Sequence, residues 1–240
     1  MPKNTNKFFG KTGRTVYACV FAAIEFTLIS LILFSSLSKI WVCYSAIAVA
    51  FAFALPFAAK DGRKNLFIIA ALFLTLVADF FLVIEYGLTG EYVFQCLGVS
   101  AFCAVHFFYF LYLYEIKGKN GFLIRIIIRT AVSAIAAVVS AIVLKESGNY
   151  LSAVSVVCFC WLIMNIVSAF SGGRKTLLFA FGLLFFALCD AWVGLQCANG
   201  VFFDIPEGFI YGVVFPPFNA VWLCYGLAQT FIVLYLITKP

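Results

Sequence analysis

The chain is short of charge, short of histidine, and without any nucleotide-binding or nucleophile fingerprint. Only 11% of its 240 residues are charged, whereas a soluble domain carries roughly a quarter. That shortage excludes an ordinary water-facing surface. One histidine and no CxxC pair argue against the common catalytic zinc sites and give no case for a heme. GxSxG, P-loop and dinucleotide motifs are missing as well. No metal and no cofactor is expected.

What is present is apolar. Hydrophobic residues make up 65% and aromatics 19%, so lipid is the simple solvent for this surface. At about 20 residues per spanning helix, the length holds eight spans and almost nothing else. The expectation is an all-α, polytopic membrane protein with a single transmembrane domain over 1–240, of which 1–15 is a cytoplasmic N-terminal segment. The net charge of +6 does not point to nucleic acid, because the basic residues cluster at the ends of apolar runs and form no stripe with aromatics. The nine cysteines fall mostly inside apolar runs. They read as small packing residues; Cys158 and Cys160, two apart, lie on different helix faces.

Apolar runs between charged breaks predict spans over 16–35, 40–58, 66–86, 92–114, 122–143, 150–170, 176–197 and 209–238. The last contains Pro216-Pro217, so a short or kinked piece precedes a regular helix from about Phe218. The basic N-terminus (Lys3, Lys7, Lys11, Arg14) resembles a signal peptide. The apolar run after it is too long, contains Glu25 and has no A-x-A site, which favours a retained first span.

Lys and Arg alternate in sign of topology. The N-terminus, Lys60-Arg63-Lys64, Lys117-Lys119 with Arg125 and Arg129, Arg174-Lys175 and Lys239 all fall on one side; only Lys39 and Lys145 fall on the other. Glu85, Glu91, Asp204 and Glu207 mark that second side. Both termini are therefore expected in the cytoplasm, in the inner membrane of a bacterium or the endoplasmic reticulum of a eukaryote. An internal repeat is visible too. Arg63-Lys64 precede Asp79 by the same distance as Arg174-Lys175 precede Asp190, and the same offset maps span 1 onto span 5. This points to two four-helix halves in one orientation.

Few ionisable groups fall within spans: Glu25, Asp79, His106 and Asp190. Arg125 and Arg129 lie near a cytoplasmic end, where snorkelling is the expectation. An acid at membrane depth costs at least ~2.5 kcal/mol, so it should face the bundle interior. Asp79 and Asp190 lie at the same depth on outgoing helices. If the helices are neighbours, the two carboxyls share one cavity, where one acid donates a proton and the other carboxylate activates water. The competing reading is a polar pair that only binds helices together. Gly98, Phe102, His106 and Tyr109 form one face of span 4, although a lone buried histidine is more often a core residue than a ligand. Tyr225 with Gln229, and Asn165 with Ser168, are weaker polar pairs of the same kind.

Taken in order, LTLVADFFLV with Asp79, GVSAFCAVHFFY with Gly98, Phe102, His106 and Tyr109, LLFFALCDAWVG with Asp190 and LCYGLAQTFIV with Tyr225 and Gln229 resemble the YhhN family. Characterised members of that family are lysoplasmalogenases. The sequence departs from the family pattern at Ala78, at Cys189 and at Lys39-Ile40, where Gly, Ser and a Lys-Pro pair are usual. The resemblance implies hydrolysis of the vinyl ether bond of a lysoplasmalogen to a fatty aldehyde and a glycerophospho-head group. The lysophospholipid substrate would come from the surrounding membrane lipid. Asp79 and Asp190 would then be catalytic. His106, Tyr109, Tyr225, Gln229, Glu25 and Asn165 would bind substrate or position the catalytic groups. Helix rise puts His106 on the order of 10 Å deeper than the aspartates, which argues against its touching both. The residues alone also fit a non-catalytic transporter or binding protein for a lipid or small molecule.

Overall fold

The computed structural model describes residues 10–35, 39–58, 63–117, 121–144, 150–199, 205–206, 208, 211–212 and 220–239. Among the described residues, eight helices are long and apolar enough to cross a membrane. They are α1 (Lys11–Phe34), α2 (Lys39–Phe57), α3 (Arg63–Thr89), α4 (Tyr92–Ile116), α5 (Phe122–Val143), α6 (Tyr150–Phe170), α7 (Gly173–Cys197) and α8 (Ala220–Thr238). The protein is a multi-pass, all-helical integral membrane protein. Helices are the natural solution in lipid because each one satisfies its own backbone polar groups. Hydroxyls inside them follow suit: Thr75 and Thr230 donate to the carbonyls of Ala71 and Gly226 one turn back, at 3.0 and 2.8 Å. Lys3, Lys7, Lys60, Lys119, Lys145, Asp204, Glu207, the Pro216-Pro217 break and the expected last-span start at Phe209 lie outside the described residues.

Six helices close into a ring in the order α2, α3, α4, α6, α7, α8 and back to α2. Helix α1 packs outside it on α2 and α8, and α5 packs outside on α6. Helix α8 is the most enclosed, with 67% of its core window buried, and α5 the least, with 11%; α5 is therefore mostly a lipid-facing helix. Opposite pairs across the ring are α3 with α7, and α4 with α8. The two halves correspond: α2–α3–α4 repeats as α6–α7–α8, as the basic pairs and aspartates imply. The correspondence extends to the turns. Buried Asn65, just inside α3, donates to the Phe57 carbonyl at the end of α2 at 2.6 Å. Buried Thr176, just inside α7, donates to the Ala169 carbonyl at the end of α6 at 2.6 Å. Each ties the start of one helix to a carbonyl in the last turn of the helix before it. The correspondence is broken at α1, which reaches α8 while α5 makes no comparable contact with α4.

Two glycines set the tight seams of the ring. A Cβ on Gly98 of α4 would meet Leu82 Cγ at 2.4 Å and the Ala78 carbonyl oxygen at 3.0 Å. A Cβ on Gly182 of α7 would meet Ile232 Cγ1 at 2.7 Å and the Ala228 carbonyl at 3.1 Å. Small residues let apolar helices approach closely where no hydrophobic force drives them together. Gly98→Ala should therefore destabilise the protein by about 1–3 kcal/mol through overpacking. A lowered thermal midpoint in detergent is the expected reading; an unchanged midpoint would mean that α3 and α4 can separate freely.

One end of the ring is sealed by aromatics. Phe179 stands 5.4 Å from Tyr109, 5.3 Å from Tyr112 and 5.5 Å from Tyr235, ring centre to ring centre. The hydroxyls of Tyr112 and Tyr235 are hydrogen-bonded across the ring. Lys239 lies 5.3 Å from the Tyr112 ring and donates to Asn65. Arg14, at the start of α1, donates to the Lys239 carbonyl at 3.1 Å, so the start of α1 and the end of α8 share this face.

Candidate active site

Above the aromatic seal the interior becomes polar. Asp79 is 3% exposed and is the last residue of the α-helical part of α3. Phe80–Glu85 then continue as a π-helix, a rare geometry found often at functional sites. Nothing in the apolar run FFLVIE signals that change. The Tyr225 hydroxyl of α8 donates to Asp79 Oδ2, so α3 and α8 are tied together at this point.

An aromatic wall surrounds the pair. Phe186, Phe102 and Trp222 stand 5.4, 6.4 and 5.7 Å from the Tyr225 ring. Phe186 also packs on Phe102 at 5.4 Å and on His106 at 5.3 Å. The Gly98, Phe102, His106 and Tyr109 face of α4 thus turns inward as its spacing predicts. Phe186 sits one turn before Asp190 on α7, and that spacing was the only sequence signal for its place in the site.

Asp190 is half-buried, and among the described residues no side chain or backbone group hydrogen-bonds to it. No hydrogen bond joins it to Asp79, and their helices face one another across the ring. Cys189, the sequence neighbour of Asp190, is buried and lies within electrostatic reach of Asp79 and Cys224. It packs in the apolar core, as its apolar run suggests. On its other side Asp190 is within electrostatic reach of Cys158 of α6. A crevice of about 320 Å³ between α4 and α6, lined by Ser100, Cys103, Tyr150 and Val157, opens beside that cysteine.

The other sequence-chosen residues divide into two groups. His106 is fully buried, and neither ring nitrogen has a partner among the described residues; the same is true of both amide atoms of Gln229, while the buried Tyr109 hydroxyl lies beside Thr75. A buried polar group left unpaired costs about 1–3 kcal/mol. His106 and Gln229 thus keep spare hydrogen-bonding capacity in the interior of the ring. His106 does not touch Asp79, in keeping with its greater depth. Glu25 is fully buried, and its carboxyl oxygens are likewise unpaired among the described residues. It belongs to the outer helix α1, one turn from where Ile29 packs on Gly226.

Asn165 is different, because its amide is already used. Its Nδ2 donates to the His106 carbonyl at 2.8 Å, and its Oδ1 accepts from Arg129 Nη1 at 2.8 Å. Arg129 corrects the snorkelling expectation. It is 6% exposed, and its guanidinium also donates to the Met164 carbonyl at 3.1 Å and to Ser168 Oγ at 3.0 Å. The physical reason is α5 itself, which buries little apolar surface and is fastened to α6 by this cation instead. Arg125, one turn nearer the membrane face, is exposed as expected.

A ring of apolar helices with carboxyl, phenol, imidazole and amide groups among its buried side chains defines a polytopic membrane protein with a partly polar interior. Within that class the particular family is settled by comparison: the model of the YhhN family matches residues 34–236, and the chain belongs to this family. No curated protein and no solved structure shows a significant match to it.

Proposed function

We propose that the protein is a membrane hydrolase that cleaves the vinyl ether bond of lysoplasmalogens, releasing a fatty aldehyde and a glycerophospho-head group. The observation that carries the reading is the buried Asp79 carboxyl held by the Tyr225 hydroxyl, in a chain of the YhhN family whose facing helix carries Asp190. Protonation of the β-carbon of the vinyl ether gives an oxocarbenium ion. Water adds to that ion, the hemiacetal collapses, and the head group leaves as an alcohol. Tyr225 donates to Asp79, an arrangement that suits a charged carboxylate facing the cation and activating water. Asp190 is then the donor of the proton. His106, Tyr109 and Gln229 supply hydrogen bonds to the substrate, and the crevice between α4 and α6 gives a membrane-dissolved amphiphile a lateral path. Glu25 and Asn165 act at a distance, Asn165 by positioning α4 beneath His106. The test is aldehyde release from lysoplasmenyl lipid by the purified protein in detergent. Lipid moved across a vesicle wall without aldehyde would replace hydrolysis with transport.

The proposed orientation has both termini in the cytoplasm, following the bias of Lys and Arg. Single cysteines placed beside Arg174 and beside Glu91, in a variant lacking the native cysteines, should react with an impermeant reagent from opposite sides. Labelling of both from one side would sink the topology.

A further inference from the structure

A second candidate site lies outside the ring, where α4 ends and α5 begins. A groove of about 400 Å³ runs between α4, α5 and α6, lined among others by Phe110, Tyr114, Arg125, Arg129, Val167 and Ser168. It is at the opposite end of these helices from the half of the bundle that holds the aspartates.

Charge is the unusual feature of this groove. The Arg129 guanidinium is almost fully buried, and each group it meets is neutral: Asn165, Ser168, the Met164 and Trp161 carbonyls, and the Phe110 and Trp161 rings at 4.6 and 5.5 Å. Arg125 stands one turn away with its guanidinium 5.9 Å from the Tyr114 ring, within electrostatic reach of Arg129. Among the described residues no carboxylate lines the groove; Glu115, next to Tyr114 in sequence, does not line it. Two cations one turn apart repel more strongly at a lipid boundary than in water, and neutral acceptors do not cancel their charge. An anion does. The exposed Arg125 can offer phosphate the planar, bidentate fork that arginine favours, while Arg129, whose Nη hydrogens are engaged within the protein, adds its charge. The groove also has an apolar side open to lipid, with Ile128 54% and Val167 64% exposed. Its occupant should therefore carry acyl chains. It should lack an ammonium group, since no acid is there to receive one.

We propose that this groove binds the phosphate of an anionic phospholipid between Arg125 and Arg129, with an acyl chain lying along Ile128 and Val167. Basic pockets between helices at a membrane face bind lipid head groups in this manner. The bound lipid would hold α5, the least enclosed helix, against α6.

Native mass spectrometry of the full chain in detergent, with dioleoyl phosphatidylglycerol as the probe, tests the assignment. One bound phosphatidylglycerol is expected, with dioleoyl phosphatidylcholine bound about tenfold more weakly. Arg125→Gln should weaken the phosphatidylglycerol adduct about tenfold, the loss of one charge-assisted contact, and Arg125→Glu should remove it. Arg125 is exposed, so the thermal midpoint of either variant without added lipid should match the parent. Equal binding of the two lipids, or an adduct unaffected by Arg125→Gln, would overturn the proposal. So would inorganic phosphate raising the midpoint of the parent as much as phosphatidylglycerol does, because the site would then be one for free anions.

Discussion

Asp79→Asn and Asp190→Asn should each reduce aldehyde release by on the order of 10²–10⁴-fold, the range that a positioned acid or base supplies, while the helical fold survives. Asparagine keeps the shape of aspartate, and its carbonyl can still accept from the Tyr225 hydroxyl, so the link between α3 and α8 remains in Asp79→Asn. What is lost is the charge. Tyr225→Phe keeps the Asp79 carboxylate but removes its donor, and a smaller loss of about 10–100-fold is expected. Circular dichroism and elution in detergent separate this outcome from collapse. Near-parental turnover in either aspartate variant would remove that residue from the mechanism. Loss of folded protein in both would favour the reading in which the carboxyls only join helices.

The second large effect concerns the substrate. A vinyl ether becomes reactive when its β-carbon accepts a proton; a saturated ether has no such carbon. Lysolipids of equal chain length with a saturated ether or an ester should bind and remain intact, with rates below the vinyl ether by the whole measurable range. Turnover in deuterated water should be slower and should leave one deuterium on the carbon next to the aldehyde. That carbon is the one that forms the new C–H bond, while water supplies the carbonyl oxygen and the head group leaves with a proton. Cleavage of the ester at a similar rate would point to acyl hydrolysis. Aldehyde without deuterium at that carbon would exclude carbon protonation.

The eight spans were legible because period and charge are strong signals in a chain where almost nothing else is polar. The inward face of α4 was legible for the same reason: Gly98, Phe102, His106 and Tyr109 share one side of any helix. Arg129 was not. Its position near a helix end looks the same in sequence whether the guanidinium reaches water or turns back onto α6, and the choice depends on Asn165 and Ser168, which come from another helix. Depth along a helix could place Asp79 and Asp190 level with each other. It could not say that Tyr225 would bond to Asp79 and not to Asp190, because that depends on rotation about the helix axis and on the ring order. The π-helical stretch after Asp79 has no compositional mark.

That stretch has a consequence for the duplicated scaffold. Helix α7 runs as a regular α-helix from Leu177 through Asp190 to Ala198, whereas α3 changes winding at the residue after Asp79. Two copies of one design thus diverge just where their acids stand. Two acids in mirror-like surroundings would compete for the same proton and serve interchangeable roles. The change of pitch follows Asp79 alone, and among the described residues only Asp79 has a phenol donor, so the two acids of the proposed mechanism stand in unlike surroundings.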